Sequence, residues 1–281
     1  MTIVYFAAII AGILYGIAES ITKNITEKKY SAFSYAFLQW SLNAVFYLVP
    51  FILFWSFPTT FAAYIYFFGV LLTQIIGNII LIKAYKTEDI SIITILSRSS
   101  LVIAFFCGVF LLQEKINLFK SVGIISIIIG IIVIFHERKR LHLSPGYLFA
   151  ILSGVFYGLV AYFEKMTLGY FDIVSFIFLF NLSAAIILWF IPGTRRDIKP
   201  IFVKYKKQFL LTRICIVTGV FLLLWSLRSG NLSIVNTNAE TSFLLSTAFI
   251  GIIFLNEKKN ILKKLAGSLL CVLGIILLNF F

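Results

Sequence analysis

The chain has 281 residues, 61% of them hydrophobic and only 12% charged, with a mean hydropathy of +1.03. A soluble domain of this length needs far more charged surface, which excludes soluble enzymes and soluble binding modules. The formal net charge of +13 sits in short connections rather than on a folded basic face, which argues against nucleic acid as a partner.

Ten apolar runs follow in chain order, near 2–22, 32–56, 61–82, 90–112, 118–136, 146–164, 172–192, 209–228, 231–255 and 261–281. Each is long enough to cross about 30 Å of hydrocarbon as a helix. The polar–apolar alternation of barrel strands is absent, so the expected fold is an all-α polytopic membrane protein. The first run has no basic segment before it and no small-residue cleavage site after it, and reads as a retained helix rather than a signal peptide. Cys107, Cys215 and Cys271 fall inside apolar runs and read as small packing residues, with no disulfide framework.

Eighteen of the 24 Lys and Arg lie in odd-numbered connections and four in even ones. The excess of positive charge on the cytoplasmic side of membrane proteins then puts the odd connections in the cytoplasm and both termini outside. The basic stretch from Arg195 to Lys207 reads as an orientation signal facing anionic lipid.

The two halves of the chain repeat. Residues 8–23 (AIIAGILYGIAESITK) align without gaps to 150–165 (AILSGVFYGLVAYFEK), sharing Gly12/Gly154, Tyr15/Tyr157, Gly16/Gly158 and Lys23/Lys165. Residues 103–120 align to 246–263, sharing Gly108/Gly251, Leu112/Leu255 and Glu114-Lys115/Glu257-Lys258. Gly123/Gly267 and Gly130/Gly274 follow. The expected organisation is a five-helix repeat over 1–136, a basic connecting loop over 137–145 and a second five-helix repeat over 146–281. An odd number of helices inserts the second copy upside down, and inverted repeats place solute sites near the midplane at their interface.

With these features the chain resembles the ten-helix, EamA-like branch of the drug/metabolite transporter superfamily. The resemblance rests on the 5+5 repeat, on Gly12-x-x-Tyr15-Gly16 and Gly154-x-x-Tyr157-Gly158, and on the endings Leu112-Gln113-Glu114 and Leu255-Asn256-Glu257. It implies a secondary transporter of small organic solutes in the cytoplasmic membrane of a prokaryote, working by alternating access and in the direction of export. Ser100 and Phe243 stand where the family pattern carries a proline. In the small four-helix members of the superfamily an essential carboxylate lies deep in the first helix. Tyr15 holds that level here, so that role is not carried over.

Two intramembrane stripes share the i, i+3, i+7 spacing of one helix face: Ser91, Thr94 and Arg98, then Ser233, Asn236 and Glu240. An ionised group costs roughly 2.5–3.5 kcal/mol at the centre of a spanning helix, which calls for a partner or a task. Arg98 and Glu240 would hold opposite charges of an amino-acid-like solute, Glu240 would carry a coupling proton, or the two would form a structural bridge. Glu19 is a second coupling candidate, or an interfacial partner of Lys23, and Glu164 is expected to pair with Lys165. Gln74, Asn78, Tyr15, Tyr157 and Trp40 are further solute-contacting candidates, with interhelical packing as their alternative role. Gln39, Asn43 and Asn181 are amides of the same kind. Glu114-Lys115 and Glu257-Lys258 read as solvated turns. No catalytic, nucleotide-binding or metal-binding motif is present, so neither an enzyme nor a cofactor is expected. The expected partners are a small-molecule solute, membrane lipid and protons. Efflux of lipophilic cations, and a non-transporting scaffold or lipid-flippase subunit, stay open as alternatives.

Overall fold

Lipid leaves a backbone no partner but itself, and the chain answers with ten helices among the described residues. The computed structural model describes residues 2–22, 30–87, 96–115, 117–135, 144–253 and 261–280. In order the helices are α1 (Thr2–Thr22), α2 (Ala32–Phe54), α3 (Phe61–Thr87), α4 (Ser99–Phe106), α5 (Leu118–Phe135), α6 (Pro145–Thr167), α7 (Ile173–Trp189), α8 (Ile198–Ser229), α9 (Leu232–Ile253) and α10 (Ile261–Phe280). A five-residue π-helical turn, Cys107–Leu111, continues α4. Among the described residues four helices, α2, α3, α6 and α8, are long and apolar enough to cross a membrane by themselves. Outward faces are apolar: Val45, Val49 and Ile52 on α2, Ile65, Phe68 and Leu72 on α3, and Val122, Ile125 and Ile129 on α5 are all exposed. Water would not tolerate so continuous an apolar surface, and lipid does.

Helix neighbours obey the repeat. α1 packs on α9 as α6 packs on α4, α1 on α8 as α6 on α3, and α2 on α8 as α7 on α3. Three further pairs, α2·α7, α4·α9 and α5·α10, each join a helix to its own repeat mate. Such self-mated pairs straddle the pseudo-two-fold axis.

The repeated glycines make these approaches possible. A Cβ at Gly12 or Gly16 would overlap Ala239, Ser242 or Ser246 of α9, and one at Gly154 or Gly158 would overlap Ser97, Ser99 or Ile103 in and just before α4. On α5·α10 a Cβ at Gly130 would lie 2.7 Å from Cys271 Sγ, and one at Gly274 would lie 2.6 Å from the Gly123 carbonyl oxygen. Cys271 is buried there as a small packing residue. Backbones in contact gain dispersion where lipid supplies no hydrophobic drive between helices.

Polar contacts sort the connections by end. At one end Ser31 N–H donates to Asp197 Oδ2 at 2.7 Å and Tyr30 meets Tyr205 edge to face, joining the 1–2 and 7–8 connections. At the other end Ser56 N–H donates to Ser175 Oγ at 3.1 Å. There too the α8–α9 turn is gripped from both sides. Lys165 Nζ donates to the carbonyls of Leu227 at 2.5 Å and Gly230 at 2.6 Å. Glu114 accepts from the Leu232 N–H, from Ser233 N–H at 3.1 Å and from Ser233 Oγ at 2.5 Å. A cation thus meets the C-terminal carbonyls of α8 and an anion the N-terminal amides of α9, as the helix dipoles favour.

Three expectations are corrected here. Glu114 is no solvated turn residue: Gln113 adopts a left-handed φ of 53°, and the chain turns back so that the Glu114 carboxylate caps α9. Lys165 does not pair with Glu164, because its ammonium is directed to the end of α8. The eighth helix begins at Ile198 rather than near 209, with a non-helical break at Tyr205 (φ −117°, ψ 20°). Its basic composition hid a stripe of Ile201, Tyr205 and Phe209, which bury against Leu38 while the lysines between them stay outside. Glu257 and Lys258 lie outside the described residues.

Gly16→Val and Gly158→Val are each expected to lower the thermal midpoint in detergent, by the equivalent of about 1–3 kcal/mol for forced overpacking. A fluorescence-monitored melt of the purified variants reads this directly.

Candidate functional site

Between the halves lies a cavity of about 300 Å³, at the small end of the ~300–1,000 Å³ usual for ligand sites. Seven helices line it: Tyr15 from α1, Gln39, Trp40 and Asn43 from α2, Gln74 from α3, Tyr157 and Glu164 from α6, Phe176, Phe180 and Asn181 from α7, Arg213 from α8, and Asn236 and Glu240 from α9. Repeat mates recur in this lining. Tyr15 faces Tyr157 in the alignment, and Gln39 faces Asn181. The cavity therefore sits on the axis that relates the halves.

Three features set its chemistry. Arg213 is 1% exposed although it lies in the middle of α8. Its Nη1 donates to Asn43 Oδ1 at 3.4 Å, Asn43 Nδ2 donates to Asn181 Oδ1 at 3.1 Å, and Asn181 Nδ2 donates to the Ile177 carbonyl at 2.8 Å. This chain ties α8, α2 and α7 together across the axis, as intramembrane amides commonly do. The second feature is the ion pair between Arg98 Nη1 and Glu240 Oε2, which joins the start of α4 to α9. The Arg98 guanidinium also stacks 5.1 Å from the centre of the Phe243 ring. Glu240 lines the cavity and Arg98 does not. The third is Glu164, a carboxylate in the lining with no hydrogen bond or ion pair among the described residues. The Tyr15 phenol lies within electrostatic range of both Glu164 and Glu240.

Of the residues singled out from sequence, Glu240, Asn236, Gln74, Tyr15, Tyr157 and Trp40 meet at this cavity. Ser233 does not: its hydroxyl is given to Glu114. Asn78, one turn beyond Gln74, lines a separate small crevice with Phe33, Trp40 and Leu188. Arg98 stands behind Glu240. Ser91 and Thr94 lie outside the described residues, and so does the side chain of Glu19. Arg213 and Glu164 were not singled out as site residues. The place of Arg213 inside an apolar run is the signal that could have found it, and a neighbouring lysine disguised Glu164 as an interfacial pair. Among the described residues no three His, Cys, Asp or Glu side chains come together as metal ligands.

The comparisons with known proteins agree with this architecture. A crystal structure described only as that of a protein superposes with a TM-score of 0.73 at 12% identity, covering 97% of this chain and 98% of the other, a likeness of fold alone. No curated protein matches in sequence. The model of the EamA-like transporter family matches residues 2–136 and again residues 144–280. With one match on each five-helix half, the chain belongs to the EamA-like transporter family and is a multi-pass membrane transporter of the drug/metabolite type.

Proposed function

We propose that the chain is a secondary transporter that moves a small polar or amphipathic organic solute, amino-acid-like in its charges, across the cytoplasmic membrane by alternating access in the direction of export. The observation that carries this reading is the cavity on the repeat axis, lined by amides, tyrosines and charged groups from helices of both halves. Inverted repeats that rock against one another expose such a site first to one side and then to the other. The glycine contacts of α1 on α9 and α6 on α4 supply close, smooth surfaces between the parts that would move. Five amides, two tyrosines and a tryptophan in the lining suit a solute that is both hydrogen-bonding and partly apolar.

The Arg98–Glu240 pair takes a structural part in this reading. Each charge answers the other, so neither is left to read a solute. A partly buried pair of this kind adds little net stability, yet removing one partner costs up to about 3–5 kcal/mol because the other charge is stranded. Glu240→Gln and Arg98→Gln are each expected to lower the thermal midpoint sharply, and the double variant to recover much of the loss. If instead each single variant keeps the wild-type midpoint but loses flux, the pair is a solute site.

Transport itself is tested in proteoliposomes by counterflow with labelled amino acids, polyamines, sugar phosphates and lipophilic cations. One class should exchange, and Ala161→Trp should abolish that exchange, since Ala161 lines the cavity and is 4% exposed. Absence of exchange for every class, in a preparation that melts cooperatively, would favour a non-transporting scaffold or flippase subunit.

The sidedness reading puts the odd connections in the cytoplasm. Arg195 stacks 4.2 Å from the Trp189 ring and Lys204 4.8 Å from that of Tyr205, pairings that suit a headgroup layer. A C-terminal alkaline phosphatase fusion is expected to be active and a C-terminal green fluorescent protein fusion dark; the reverse result overturns this topology.

A further inference from the structure

Of the two carboxylates in the cavity lining, Glu164 and Glu240, only one is paired with a described cation. Glu240 is held by Arg98. Lys165, next to Glu164 in sequence, spends its ammonium on the carbonyls at the end of α8. Arg213 is bound into the amide chain through Asn43. The Glu164 side chain lines the cavity, and among the described residues its carboxylate accepts no hydrogen bond and pairs with no cation. An intramembrane carboxylate in a cavity lined largely by apolar and aromatic side chains calls for a cation to complete it.

The surroundings say what kind of cation. Phe176 and Phe180 share the lining with Glu164, and the Tyr15 phenol lies within electrostatic range of it. Aromatic faces attract a cation that has shed its water, and a carboxylate forms its strongest hydrogen bonds with N–H donors that carry the positive charge. A volume of about 300 Å³ suits a small molecule. The amides in the same lining, Asn43, Asn181 and Gln39, suit the polar remainder of such a molecule. A metal ion would want several carboxylates, and a single one beside aromatic rings is a poor match for it.

We propose that Glu164 is the ammonium-binding group of the cavity, so that the solutes carried are small primary amines, amino acids among them. This assignment rests on the cavity being the transport site. It differs from the expectation drawn from sequence, in which Glu240 met the positive pole of the solute.

Matched pairs test it. Leucine is compared with 2-hydroxyisocaproate, and phenethylamine with 2-phenylethanol, each by thermal stabilisation of the purified protein and by counterflow competition in proteoliposomes. The amine of each pair should stabilise and compete, and the alcohol, equal in size, should do neither. Glu164→Gln, which keeps the shape of the side chain, should weaken amine binding roughly tenfold or more, and Glu164→Asp should retain part of it. Equal response to amine and alcohol in the wild type overturns the assignment while leaving transport standing, and needs no variant. Unchanged amine binding by a well-folded Glu164→Gln protein overturns it as well. Stabilisation by tetraphenylphosphonium with no preference for amines would do the same and point to lipophilic cations. Failure of every probe to bind or exchange, with Ala161→Trp indistinguishable from wild type, would remove the transport reading together with the assignment.

Discussion

A charge inside hydrocarbon has to be answered by another group, and this requirement organises the bundle. Arg98 and Glu240 join α4 to α9 across the axis. Arg213 engages α2 and, through Asn43, α7. Glu114 and Lys165 meet the two free ends of α8 and α9. Each contact spans helices that are distant in sequence, so the charges fix register where apolar side chains would let helices slide. Apolar packing fills the space between them, with Phe171, Phe176 and Phe209 almost wholly buried.

Symmetry does the rest. A five-helix unit that inserts in either orientation forms two kinds of contact, those with a mate elsewhere and those that lie on the axis. The glycine surfaces of α1 and α6 belong to the first kind, and α2·α7, α4·α9 and α5·α10 to the second. Identical residues need not do identical work in the two halves. Tyr15 and Tyr157 both reach the cavity, but the position of Glu19 is taken by Ala161 in the second copy. The charged equipment of the cavity comes chiefly from the second half, through Glu164, Arg213 and Glu240.

Much of this was legible in the residues. Runs of apolar sequence located the helices, and the recurrence of Gly-x-x-Tyr-Gly located the repeat, because lipid constrains composition so tightly. The pairing of Arg98 with Glu240 followed from their equal depth in mated helices. What sequence hid was direction. Ser233 and Asn236 share a face of α9 by spacing, yet one turns to Glu114 and the other to the cavity. Glu164 and Lys165 looked like a pair because they adjoin, although successive residues on a helix point about 100° apart. The start of α8 was missed because exposed lysines masked three buried residues spaced four apart.

The adjacency of Glu164 and Lys165 has a mechanical consequence. One side chain lines the cavity while the next holds the end of α8, and both ride on the same turn of one rigid rod. Any roll of α6 that draws the carboxylate toward an occupant swings the ammonium through the same angle, and its grip on Leu227 and Gly230 loosens or tightens with it. The last turn of α6 is thus a lever with its two arms on consecutive residues, and what happens in the cavity is felt at the α8–α9 turn without any intervening relay.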